Sequence, residues 1–161
     1  MGNRAIITTK NQYENDGYGL YLHWNGGRDS VEAFLAYCRL KGYRDPIGDE
    51  DYALARLCQV IGNFFGGTTS LGICPARCGA GDDNGVYIIG KDWQVVGRKE
   101  VGEHFIEQNK YPLGMMLHDI DRSMPEGEQL QYGATEFFLK AKGYEDSYRI
   151  MKGWCNDEVH S

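Results

Sequence analysis

Apolar positions along this chain alternate in some stretches and recur with helical spacing in others. "RAIITT" (Arg4 to Thr9) is short, β-branched and bounded by polar residues, which predicts a strand. "YGLYLHW" (Tyr18 to Trp24) alternates, with Leu20, Leu22 and Trp24 on one face and Tyr21 and His23 on the other. The polar segment between them ends in Asp16-Gly17 and suits a hairpin connection.

After Asn25-Gly26-Gly27 the period changes. Val31, Phe34, Leu35 and Cys38 follow the i, i+3, i+4, i+7 rule and predict a helix with one buried stripe. Asp29 is placed to cap it, with Glu32 completing a capping-box pattern. Lys41 falls in the last turn, and Gly42 supplies the left-handed residue that ends it. A second helix is predicted from about Tyr52 to Phe65, with Leu54, Leu57, Cys58, Ile61 and Phe65 as its stripe. Asp49, Glu50 and Asp51 lie at its positive end, where carboxylates are stabilised.

The middle of the chain returns to strand patterning. "TSLGI" predicts a strand, "CPARC" and "GAGDDNG" loops, and "VYIIG" with "WQVVG" a hairpin around Gly90-Lys91-Asp92. A third helix is predicted from about Leu113 to Met124, with Leu113, Met116, Leu117 and Ile120 inward. Beyond Pro125, "TEFFLKAKGYED" reads as helix, although "EFFL" alone fits a strand equally. "LKGYRD" and "AKGYED" echo one another, as one helix-ending solution used twice.

Strands and helices are grouped rather than strictly alternating. The expected fold is α+β, one domain with a mostly antiparallel sheet packed against two to four helices. Residues 1–125 form the expected core, and 126–161 an extension that is packed on it or partly mobile.

Composition narrows the function classes. A net charge of −6 argues against a protein whose main task is coating nucleic acid. No apolar run approaches the ~20 residues that span a membrane, and "MGNRAIITTK" lacks a secretory signal, so the expected location is the cytoplasm. Met1-Gly2 fails the myristoylation pattern because Ile6 stands where Ser or Thr is needed.

Catalytic and cofactor motifs are missing. There is no phosphate-loop pattern, "CGAGDDNG" does not give G-x-G-x-x-G, and no G-x-S-x-G elbow occurs. Cys38 and Cys58 fall on helix stripes as buried thiols. Cys74 and Cys78 would need Cys155 and His160 to complete a zinc site, at spacings unlike established motifs. His118 stands beside Asp119 and near Asp121, but neighbouring helix positions diverge and make a poor dyad. Asp45, Asp49 and Asp51 match a calcium loop only loosely. The reading is therefore no enzyme, no metal and no cofactor.

Binding residues are the better candidates. Tyr21 and His23, with Arg28 beside them, offer an aromatic contact edge. Asp45, Asp49, Glu50 and Asp51 offer one acidic set, and Asp119, Asp121, Glu126 and Glu128 a second. Two alternatives stand beside a protein partner. One is a small nucleic-acid-binding regulator using Arg4, Lys10 and Arg28; the other is a nucleotide-ligand site at the Asn25 to Arg28 loop, where helix N–H groups meet an anion.

"MGNRAIITTK", "YLHWNGGRDSVEAFL", "YALARLCQVIGNFFGG" and "DNGVYIIG", taken together, resemble a family of small proteins carried by Firmicutes chromosomes, phages and mobile elements. The resemblance covers roughly residues 1–125; "CPARC" and the tail after Pro125 are not part of it. What it implies is kinship with a type II-A anti-CRISPR protein that inhibits Cas9. That would be a non-enzymatic inhibitor that binds the large basic Cas9–guide RNA effector and interferes with its engagement of DNA. The reading leaves room for a DNA contact and for a homo-oligomer.

Overall fold

The computed structural model describes residues 2–81, 83–101 and 111–142. Among the described residues five strands form one sheet: β1 (Ala5–Thr9), β2 (Tyr18–Leu22), β3 (Leu71–Pro75), β4 (Val86–Ile89) and β5 (Val95–Lys99). Their order is β3-β2-β1-β4-β5. Only the β1–β4 pair is parallel, with Ile6 opposite Val86, and the other pairs are antiparallel. The α+β architecture with a mostly antiparallel sheet therefore holds.

Helices α2 (Arg28–Leu40), α3 (Glu50–Phe64) and α4 (Leu113–Ser123) join one face of this sheet in a single core. Val31, Phe34, Leu35 and Cys38 of α2 are buried there against Ile7, Leu20, Leu22, Tyr87 and Ile89. Ile6, Val86 and Ile88 point to the other face and form a smaller cluster with Tyr13. Residues 134–142 are helical, and Phe137 and Ala141 are buried in the main core. The remainder of the tail, with the second "KGY" echo, Cys155 and His160, lies outside the described residues.

Local details depart from the expectations at informative places. The β1–β2 connection is not a plain hairpin loop, because it contains the short helix α1 (Lys10–Glu14), capped by the Thr9 hydroxyl. Helix α2 begins two residues earlier than the capping pattern implied. Gly27 is its N-cap, Asp29 sits inside the first turn, and Glu32 pairs with Arg28 instead of capping. Its C-terminus ends as expected. Gly42 has φ +74°, its N–H reaches Arg39 O, and the Tyr43 N–H reaches Cys38 O, the Schellman pattern. Strand β3 runs through Cys74 and Pro75, so half of the "CPARC" loop is edge strand.

Candidate functional site

The Asn25-Gly26-Gly27 turn is held by its own neighbours. Gly26 N–H donates to Asn3 O at 2.8 Å, and Gly26 O accepts from the Tyr87 hydroxyl at 2.9 Å. A Cβ on Gly26 would lie 2.4 Å from Asn3 O, so this approach requires glycine. Asn25 takes the positive φ of 56°. At the α2 N-terminus the Asp29 carboxylate accepts from Ser30 N at 2.7 Å and from Tyr111 N at 3.0 Å. A carboxylate of the chain itself thus occupies the positive end of the helix, where an anionic ligand would have to bind.

Arg28 does not project as a contact residue. It is 1% exposed, and its Nε lies 2.8 Å from Glu32 Oε1 within the same helix face. The sequence reading offered it as a surface contact beside Tyr21 and His23. The earlier helix start turns it inward instead. Arg98 is buried too, donating to Asn84 O at 3.0 Å and lying over the Tyr87 ring.

Tyr21 and His23 do come together. The Tyr21 hydroxyl and His23 Nδ1 are 2.9 Å apart, and Trp24 meets the His23 ring edge-on at 5.3 Å. Trp24 is not on the inner strand face, since β2 ends at Leu22 and the indole is 47% exposed. These three rings form a half-buried aromatic corner after β2.

The first acidic set is largely committed to the fold. Asp45 accepts from Ile47 N at 2.9 Å and from Asp92 N at 2.7 Å. Asp49 caps α3 through Tyr52 N and pairs with Arg44 at 3.0 Å. Glu50 accepts from Thr9, Asn11 and Gln12, each at 2.8 Å. Burial works to raise the Glu50 pKa, but these three hydrogen bonds together hold it below the ordinary carboxylate range. Asp51 is the exposed member. In the second set Asp121 is buried, accepting from the Tyr37 hydroxyl at 2.6 Å and from Leu130 N at 2.8 Å, so it is no surface contact. Asp119 accepts from the Tyr111 hydroxyl, Glu128 lies 3.6 Å from Lys41, and Glu126 starts an exposed helical turn.

Cations proposed for nucleic acid are likewise engaged. Arg4 pairs with Asp83 at 3.1 Å, Lys10 lies 3.8 Å from Glu14, and Arg28 is interior. The Arg4 side chain and backbone hydrogen bonds lower the Asp83 pKa. His118 packs edge-on against Phe137 with its Nδ1 3.9 Å from Asp119 Oδ1, longer than a hydrogen bond, while Asp121 turns inward. Among the described residues, no three His, Cys, Asp or Glu side chains gather as a metal site.

A surface feature that the strand-by-strand reading missed lies between β3 and α3. Tyr18, Gly19, Leu20, Leu54, Ala55, Cys58 and Ile73 line an open apolar groove of about 340 Å3. Tyr18 is 65% exposed and Ile73 69%. Leu54 and Cys58 of the expected α3 stripe pack against the core but are only partly buried, at the edge of a fully buried line of Ala53, Leu57, Val60 and Ile61. The helix is rotated so that Leu54 and Cys58 face the groove. The alternation of Tyr18, Leu20 and Leu22 carried the signal, since one apolar face continued past the end of the core.

No family model, curated protein or solved structure matches the chain. Among the described residues no helix is long and apolar enough to cross a membrane.

Proposed function

We propose that this chain is a non-catalytic interaction protein of a phage or mobile element. Its partner is a Cas9–guide RNA effector in the bacterial cytoplasm, whose engagement of target DNA it obstructs. The observation that supports a protein-binding role is the apolar and aromatic surface along β2 and β3, where Tyr18, Trp24 and Ile73 stand exposed. Aromatic and apolar side chains of this kind supply contact energy at interfaces. The net charge of −6 suits approach to a basic nucleic-acid channel. The choice of Cas9 rests on the resemblance of the quoted sequence phrases.

The nucleic-acid reading has less support, because Arg4 and Lys10 lie against carboxylates and Arg28 is interior. The nucleotide-loop reading is weakened by Asp29 at the α2 N-terminus. Co-purification with guide-loaded Cas9, followed by a DNA-cleavage assay, tests the proposal. Binding with slowed cleavage is expected. Absence of binding together with full cleavage across several type II-A orthologues would overturn it.

A further inference from the structure

The outer edge of β3 has a defined hydrogen-bonding pattern. Ser70 O accepts from His23 N at 2.8 Å, and Ala76 N donates to Gly17 O at 2.7 Å. In an antiparallel ladder residues of one parity share a direction, so Gly72 and Cys74 also turn their backbone groups toward β2. Leu71, Ile73 and Pro75 therefore direct theirs away from the sheet. Leu71 and Ile73 offer both N–H and C=O, while Pro75 has no N–H to give. The ladder can be extended over a short span and is interrupted at Pro75.

The apolar groove runs along this same edge. Ile73 pairs with Leu20, a residue of the helix-covered face, so the Ile73 side chain stands on the groove side. Gly62 of α3 lies near Leu71, and Leu54 and Ala55 lie near Tyr18, which is opposite Pro75. Helix α3 thus runs antiparallel to β3, with its N-terminal end beside Pro75. Asp51 is exposed one turn before Leu54 and Ala55 on the same helix face, and exposed Asp16 precedes Tyr18 by two positions. Arg77, near that end, lies over the Tyr13 ring, and Tyr13 packs on the opposite sheet face. The groove therefore has an apolar floor and an acidic end.

We propose that this edge accepts an extended segment of a partner protein as an additional antiparallel strand. Its alternate apolar side chains fill the groove, and Lys or Arg at its N-terminal end meets Asp16 and Asp51. The main-chain bonds supply affinity, and the side-chain alternation and charge supply selectivity. The inference deepens the protein-binding reading above and takes from it only that the partner is a protein.

The test uses the full chain and a fluorescein-labelled peptide, Lys-Arg-Val-Thr-Val-Thr-Val. Saturable binding is expected, weakened about tenfold by Ile73→Asp, a change at an exposed site that leaves the core intact. N-methylation of the amides of one parity should abolish binding, while methylation of the other parity should not. Asp51→Asn, or Glu-Asp in place of Lys-Arg, should weaken it several-fold. No saturable binding, or binding indifferent to Ile73→Asp, overturns the inference. So does a concentration-dependent dimer of the free chain that Ile73→Asp abolishes, since a second copy would then own the edge. Equal Cas9 binding by the wild type and Ile73→Asp, together with no saturable peptide binding, overturns the inference but keeps the Cas9 reading. Peptide binding with no Cas9 binding overturns that reading and keeps the inference.

Discussion

The hydroxyl of Tyr87 donates to the carbonyl oxygen of Gly26 at 2.9 Å, joining the middle of β4 to the turn that leads into α2. Both residues are buried. Tyr87→Phe leaves that carbonyl without this donor and is expected to cost about 1–3 kcal/mol. Gly26→Ala drives a methyl group against Asn3 O and is expected to cost about 3 kcal/mol or more. Urea midpoints at constant m-value measure both. A Gly26→Ala variant as stable as the wild type would show that the turn is looser than described.

Arg28 makes a sharp contrast between a contact residue and an interior one. Removing one partner of a buried ion pair typically costs about 3–5 kcal/mol. Arg28→Met is therefore expected to lower the denaturation midpoint strongly, because Glu32 stays buried without the Arg28 guanidinium. If Arg28 were a surface contact, the variant would keep its stability and lose only binding.

Glu50 gives the fold an acid-sensitive joint between α1, the end of β1 and α3. Its pKa is held low, so its stabilising contribution is complete above the ordinary carboxylate range. That contribution is lost as pH falls through the depressed folded value. Glu50→Gln is expected to cost about 1–2 kcal/mol at pH 7, after allowing for partial solvent screening. Below about pH 4 the gap between variant and wild type should narrow. Urea titrations at several pH values follow this; a gap that is constant with pH would remove Glu50 from the account.

Cys74 and Cys78 differ in accessibility despite their close spacing. Cys78 is exposed, whereas Cys74 is half-buried, and burial followed by its hydrogen bond with Cys78 pushes its pKa up to about 12. At pH 8 Cys74 is a thiol and a poor nucleophile. Iodoacetamide with peptide mapping is expected to label Cys78 well before Cys74 in the native chain, and both in urea. Equal native labelling would mean that the end of β3 opens readily.

The sequence pattern carried most of the fold, and the reasons for success differ from element to element. Helix α2 was legible at both its stripe and its end, because Val31, Phe34, Leu35, Cys38 and Gly42 each obey a local rule. Its beginning was not, since Asp29 satisfies the capping pattern locally while Tyr111, far along the chain, claims the same carboxylate. The surface residues were less legible. Asp45, Glu50 and Asp121 look like free charges in sequence, and their partners are set by tertiary placement. Asp49 and Arg28 instead pair with Arg44 and Glu32 close by in the chain, and what the sequence does not show is the burial of Arg28. Tyr21 and His23 were found together because alternation alone brings them to one face. The groove was hidden because the partial exposure of Leu54 and Cys58 depends on the rotation of α3, which helical periodicity leaves undetermined by a fraction of a turn.

The parallel pairing of β1 with β4 sets an order of events during synthesis. Ile6 and Val86 must meet across the whole intervening chain, whereas β1, β2 and α2 adjoin one another in sequence. The strand that precedes the other four in the chain becomes the middle of the sheet, and its β4-facing side stays bare until β4 has been synthesised. Nascent chains that stop short of Val86 should therefore be sticky, and sedimentation of such truncations against the full chain would reveal it.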